Sequence, residues 1–455
     1  MNQSQPKNQK PNIVTAVPGP HSQALRKRED DHIAPGLQGY ALMAGIAVAE
    51  ARGSAITDVD GNTYVDFIGG IAVNALGHSH PTYVKALQDQ VARVSVGALT
   101  SEVRVDLCER LAKLTPSPKL HRLQLYSSGA EAVESALRLA KCHTGKYEFV
   151  SFWGGFHGKT MGALSLMGSR FKEKLGPMLP GSHCVPYADC YRCPLKLPYP
   201  GCSLACVELA RKQIHMSSAG SIAAVIVEPM QGTSGNVIPP KEFLPAVRDL
   251  AHDLGALLIA DEMITGLGRT GRNFGVDHSG VVPDIMTVGK AFGGGFPLSG
   301  IVTTDAISAA KPWSHPSGSS SSYGGNPLGA MAGASALKII ADERLVENSA
   351  QVGAVMLREL EGFVERYPFV GCVQGSGLFM RVELVKDKAS KEPLPRPVTE
   401  RIFHECVRRG LLTMAYAANF RIQPALTMDE ATAKNGLAVL REVFDVVDRE
   451  RWFTA

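Results

Sequence analysis

From about residue 120, short apolar runs alternate with stretches of helical period. The runs "HRLQLYSS" (121–128), "YEFVSF" (147–152), "SIAAVIVEP" (221–229), "ALLIADEM" (256–263), "PDIMTVGK" (283–290) and "LSGIVTT" (298–304) read as strands. The period predicts a helix over 130–141 with Val133, Ala136, Leu137 and Ala140 on one face. A second helix over 240–255 stops on a glycine. Strands that are apolar almost throughout, with helices between them, predict an α/β fold with a mostly parallel sheet covered on both faces. Upstream, 45–68 predicts one hairpin around the turn Asp60-Gly61-Asn62. Downstream, a long helix is expected from Asn326 through "ASALKIIADE", and after about residue 345 helices surround short strands such as "GLFMRVELV" (377–385). The expected organisation is an N-terminal tail and hairpin (1–68) packed on a small α+β domain (345–455), around a large domain (69–344).

Composition narrows the function classes. With 45% hydrophobic and 20% charged residues, the 455-residue chain has the make-up of a globular protein. A net charge of +4 with dispersed Lys and Arg gives no nucleic-acid footprint and no basic membrane patch. No apolar run approaches the ~20 residues that span a bilayer. The opening "MNQSQPKNQKPN" has no apolar signal core, reads as a disordered tail, and makes a cytoplasmic location the default.

Ligands of open α/β sheets bind at the carboxyl ends of the strands, and four of these ends carry chemically loaded residues. In "SSGAEA", Ser127, Ser128, Gly129 and Ala130 stand between a strand and a helix N-terminus, where free N–H groups favour a phosphate; an ordinary Ser128 cap accounts for the same residues. In "FWGGFHGKT", Phe156 and His157 follow a strand in a glycine-rich loop, suited to laying an aromatic ring on a planar ligand, or to a core Phe. Asp261 and Glu262 end a very apolar strand, where a carboxylate needs a cationic partner: a protonated pyridine nitrogen, or Arg269 or Arg272 in the next loop. Lys290 precedes Gly293, Gly294 and Gly295; among apolar neighbours its amine would be neutral and fit for Schiff-base chemistry, the alternative being a lysine that snorkels to the surface. A phosphate loop is excluded, because Asp284 and Ala291 occupy positions that require glycine and a hydroxyl. Together the four ends supply what pyridoxal 5′-phosphate requires.

With "ADEMITGLGRTGRNFGVDHSGVVPDIMTVGKAFGGGFPLSG" as its most specific stretch, the chain from "GPHSQALRKRE" to "RIQPALTM" resembles the class III (ω-) aminotransferases, pyridoxal-phosphate enzymes of fold type I. The resemblance implies that Lys290 forms the internal aldimine with pyridoxal 5′-phosphate and that Asp261 binds the pyridine nitrogen. It implies that Phe156 and Met263 cover the two ring faces, that His157 stands beside the cofactor, and that Ser128, Gly129 and Ala130 bind the phosphate. "SSSSYGGNPLG" matches a segment that reaches a neighbouring subunit's phosphate, with Ser322 where the family usually has threonine; a homodimer with shared active sites is implied. "NFRIQPAL" puts Arg421 where an arginine grips a substrate carboxylate, for which a guanidinium fork is well suited. The implied reaction moves an amino group from a small amino acid, ω-amino acid or amine to a 2-oxo acid. Two departures bear on substrate: Thr233 replaces the glutamate found in many members that act on 4-aminobutyrate or ornithine, and Ile264 replaces a glutamine. A racemase or epimerase of the same fold is the alternative. Cys190, Cys193, Cys202 and Cys206, spaced C-x2-C-x8-C-x3-C, read as a compact loop of reduced thiols or a structural zinc site; no metal is assigned.

Overall fold

A computed structural model of the protein describes residues 5–454. In chain order the strands are β1 (Val48–Arg52), β2 (Ala55–Asp58), β3 (Thr63–Asp66), β4 (Arg122–Tyr126), β5 (Glu148–Phe152), β6 (Ser182–Val185), β7 (Ile222–Val227), β8 (Leu257–Asp261), β9 (Ile285–Val288), β10 (Ser299–Thr303), β11 (Val370–Ser376), β12 (Phe379–Leu384), β13 (Leu411–Leu412) and β14 (Asn419–Ile422). The chain divides into two compact units, Met1–Val84 with Arg344–Ala455, and Lys85–Glu343. The first boundary falls within the helix Pro81–Arg93, beyond the residue 68 expected from the pattern change.

The unit Lys85–Glu343 is built on a seven-stranded sheet in the order β4-β10-β9-β8-β7-β5-β6. β5, β6, β7, β8 and β9 run parallel, and β10 alone is antiparallel to its neighbours β4 and β9. The helix Gly129–Thr144 buries Val133, Ala136, Leu137 and Ala140, the face expected from its period. Those side chains share one apolar core with Ala224, Ile226, Ile259, Ile285 and Ile301 from four strands. Alanines alternate with larger apolar residues on this face, so that helix and sheet interdigitate. The expected helix from Asn326 is Pro327–Asp342, opened by the Asn326 side chain accepting from the Gly329 N–H at 2.8 Å.

The other unit holds two sheets, β1-β2-β3-β13 and β11-β12-β14. Two expectations are corrected here. Residues 45–68 form three antiparallel strands rather than one hairpin, because Gly53, at φ +59°, turns the chain a first time before the Asp60-Gly61 turn does so again. The N-terminal segment is not a disordered tail over residues 5–12; Met1–Ser4 lie outside the described residues. Asn12 pairs with Thr63, and the Gln9 amide bridges the Arg52 carbonyl (2.9 Å) and the Ser54 N–H (2.7 Å). Polar side chains there satisfy the backbone of a turn and a sheet edge, which a search for apolar periodicity does not register. Among the described residues no helix is long and apolar enough to cross a membrane.

Candidate active site

β4 ends at the phosphate-type loop. Ser128 caps the helix Gly129–Thr144 by accepting from the Glu131 N–H, while Glu131 Oε2 accepts from the Ser127 and Ser128 N–H groups at 3.0 Å each, a complete capping box. The capping reading of Ser128 therefore holds. It leaves the Gly129 and Ala130 N–H groups, which meet no protein acceptor among the described residues and lie at the positive end of a 16-residue helix. Ser299 Oγ, on the neighbouring β10, donates to the Ser128 carbonyl at 2.6 Å and fixes this loop to the sheet.

β8 ends at Asp261, which is 2% exposed. Its Oδ2 meets His157 Nδ1 at 2.7 Å, and its Oδ1 accepts from Thr287 Oγ1 at 2.9 Å and from the Met263 N–H at 3.2 Å. An imidazole, a hydroxyl and a backbone N–H thus face Asp261. Burial by itself would lower the His157 imidazole, but the hydrogen bond and charge of Asp261, with the charge of Glu228, raise it above its ordinary range. Glu262, the next residue, faces elsewhere: it accepts from Thr265 Oγ1 and from the Gly275 and Val276 N–H groups (2.9 Å each).

Lys290 follows β9 at φ +48°, a left-handed conformation rare outside glycine, which costs a non-glycine residue about 1–3 kcal/mol and clusters at functional sites. Met263 stands between this turn and the β4 loop. A Cβ at Gly289 would lie 2.5 Å from Met263 Sδ, and one at Gly129 3.1 Å from it. The backbone beside Lys290, the helix N-terminus and the thioether therefore share one small space, and glycine at 289 keeps it open. Phe156, partly exposed, meets Phe171 edge-on at 5.6 Å. The loop after it packs so closely on the phosphate-type loop that a Cβ at Gly158 would be 2.8 Å from the Ala130 Cβ.

The fold thus brings Ser128, Gly129, Ala130, Phe156, His157, Asp261, Met263 and Lys290 to the carboxyl ends of β4, β5, β8 and β9. Ser322 lies in an exposed stretch, beside Ser321, whose hydroxyl donates to Glu131 Oε1 at 3.2 Å. Arg421 belongs to the other unit, on β14 opposite Arg381 of β12. Ile264 is buried and fills the space a side chain at Gly232 would need. All four clustered cysteines line one cavity of about 20 Å³ and carry free thiols; among the described residues no group of three or more His, Cys, Asp or Glu is assembled as a metal site. Three residues escape a reading by motif: Thr287, Ser299 and Glu228. Each is a lone polar residue in or just after an apolar strand, which is the signal that singles them out.

These groups fit pyridoxal 5′-phosphate: two unmet N–H groups at a helix N-terminus for the phosphate, the Met263 thioether and the half-buried Phe156 ring at the same strand ends for the planar ring, and a buried carboxylate held by an imidazole and a hydroxyl. The model of the family described as aminotransferase class-III matches residues 38–444, and the chain belongs to that family. It is a pyridoxal-phosphate-dependent aminotransferase of fold type I. It is 33% identical over 89% of both chains to a diaminobutyrate–2-oxoglutarate aminotransferase of Rhizobium meliloti, and 32% identical over 90% of its length (92% of the relative) to a leucine/methionine racemase of Thermococcus litoralis. Among solved structures it resembles an amine transaminase from an uncultivated Pseudomonas species, in its pyridoxal-phosphate-bound form, with a TM-score of 0.85 and 30% identity over 91% of this chain and 98% of the other.

Proposed function

We propose that this aminotransferase takes the amino group of a small amino acid, ω-amino acid or amine, delivers it to a 2-oxo acid, and does so at the strand ends described above. The observation that carries the assignment of residues is the strained Lys290 beside Met263, Gly129 and the unmet N–H groups of the helix N-terminus. When bound, the cofactor supplies an aldehyde that takes up amines and a ring that accepts electrons. Lys290 Nζ would anchor it covalently through its aldehyde and would carry the proton at the substrate carbon. Asp261 keeps a proton on the ring nitrogen, His157 and Thr287 orient Asp261, and Gly129 and Ala130 hold the phosphate. Phe156 and Met263 flank the ring and exclude water. Arg421 binds the substrate carboxylate; the Rhizobium meliloti relative, named for a donor and an acceptor that both carry carboxylates, supports this class of substrate. The exposed Ser322 segment supports a homodimer in which Ser322 reaches the partner copy's phosphate. Nine free thiols favour a reducing, cytoplasmic setting.

Racemisation is the second reading, favoured by the Thermococcus litoralis relative and by Thr233. Amino donor added without 2-oxo acid tests the choice. Transamination converts the cofactor's absorption persistently to that of the pyridoxamine form and releases one oxo product per site. Loss of optical rotation with the absorption unchanged would sink it.

A further inference from the structure

Glu228 stands one residue beyond β7, between β5 and β8, and is 6% exposed. Its Oε1 accepts from the Phe156 N–H at 2.9 Å, and its Oε2 from the Gly232 N–H at 2.8 Å. One carboxylate therefore ties down the half-buried Phe156 and the turn that precedes Thr233. Tyr187 buttresses the same strand end, its hydroxyl donating to the Glu228 and Pro229 carbonyls at 3.1 and 3.2 Å. Burial raises the Glu228 carboxyl; His157 opposes that rise and Asp261 adds to it. Glu228 Oε1 sits on the backbone N–H of the residue before His157, and the charges of Asp261 and Glu228 both raise the imidazole.

The charges around His157 can be summed. Among these three groups are two buried carboxylates and one buried imidazole, so protonating the imidazole leaves one negative charge among them. A protonated ring nitrogen at Asp261 offsets that charge, whereas without Glu228 the imidazolium and the ring proton would share a single carboxylate. An uncompensated buried charge is strongly unfavourable, so the second carboxylate favours both protons at once. The backbone contacts act separately from the charge, because they need reach rather than ionisation.

We propose that Glu228 is a positioning residue of the cofactor site, which holds Phe156 and Gly232 in place and serves as the second counter-charge to the His157–Asp261 pair. This rests on the assignment of the cofactor site above. The test uses full-length apo-protein, pyridoxal 5′-phosphate as the probe, and the titration of the His157 ring nitrogens by NMR, assigned with a His157→Asn variant. Glu228→Gln keeps an acceptor for Phe156, sets an amide N–H against the Gly232 N–H and loses the charge: the His157 titration, which reads the charge, falls by about one pH unit, and cofactor Kd, which reads both losses, rises about tenfold. Glu228→Asp keeps the charge but cannot span both N–H groups: cofactor Kd rises several-fold with the His157 titration unchanged. If Glu228→Gln does not fold, Glu228→Asp decides alone. Wild-type cofactor affinity in either folded variant overturns the proposal, as does an unshifted His157 titration in a folded Glu228→Gln. Wild-type apo-protein that fails to bind the cofactor would instead overturn the site assignment, leaving the two failures distinct.

Discussion

Asp261 and Glu262 leave the end of β8 in different directions and enter two different environments. Asp261 faces an imidazole, a hydroxyl and one backbone N–H. Glu262 is turned into the loop that follows, where two backbone N–H groups and Thr265 use up its acceptors. Both are nearly inaccessible to water, and nothing in the dipeptide tells them apart. The difference lies in the partners: a carboxylate satisfied by local backbone holds a loop, while one met by an ionisable partner across the sheet is available for chemistry.

Substitutions on the two sides should separate function from stability. The largest effect is expected at Lys290. Lys290→Ala removes both the covalent anchor and the proton carrier, with a loss in kcat of about 10²–10⁴-fold or more. Borohydride reduction with pyridoxal 5′-phosphate, followed by peptide mapping, should mark Lys290 in the wild type and nothing at that position in the variant.

Asp261→Asn comes next. Removing one partner of a buried pair is worth about 3–5 kcal/mol, so activity should fall about 10²–10³-fold, measured as kcat/KM alongside cofactor affinity. Glu262→Gln should do the reverse. It sets an amide N–H against the Gly275 or Val276 N–H, lowering unfolding free energy by about 1–3 kcal/mol while the spectrum of bound cofactor stays unchanged. Equal effects on cofactor and stability at both positions would erase the distinction between them.

The pH dependence gives a finer test. Burial pushes the Glu262 carboxyl up to about 7 from its ordinary 4.5, so between those values the folded state holds a proton that the unfolded state has released. Its contribution is fully present below pH 4.5 and is lost as pH rises through about 7. His157, also raised, adds a loss in the same sense above its ordinary range. The melting temperature of the apo-protein should therefore fall from pH 5 to pH 8, and Glu262→Gln should flatten only part of that slope. The smallest effect is at the helix cap: Ser128→Ala should cost about 1 kcal/mol of stability with cofactor Kd within about twofold, because the Gly129 and Ala130 N–H groups remain.

Much of the cofactor half was legible because each signal is local. Apolar runs mark β7, β8 and β9, and the 3.6 period marks the buried face of the helix Gly129–Thr144. The residues around Lys290 stand out because a lysine and glycines interrupt an apolar pattern. Thr287, Ser299 and Glu228 were passed over because their partners lie 26, 171 and 72 residues away. The ordered segment 5–12 was misread for a related reason: its anchors, Thr63, Ser54 and Thr432, are distant and polar.

The sequence by itself determined the family and six of the seven strands of the large sheet, and it nominated the carriers of the chemistry, since side-chain period and motif spacing are properties of neighbouring residues. Only the tertiary structure decided which of two adjacent carboxylates meets His157, that Ser128 caps its helix while the next two N–H groups stay unmet, and that Lys290 holds a strained backbone beside Met263. Those outcomes depend on strand order: β8 lies between β7 and β9, and so Asp261 comes within reach of groups carried on three separate strand ends.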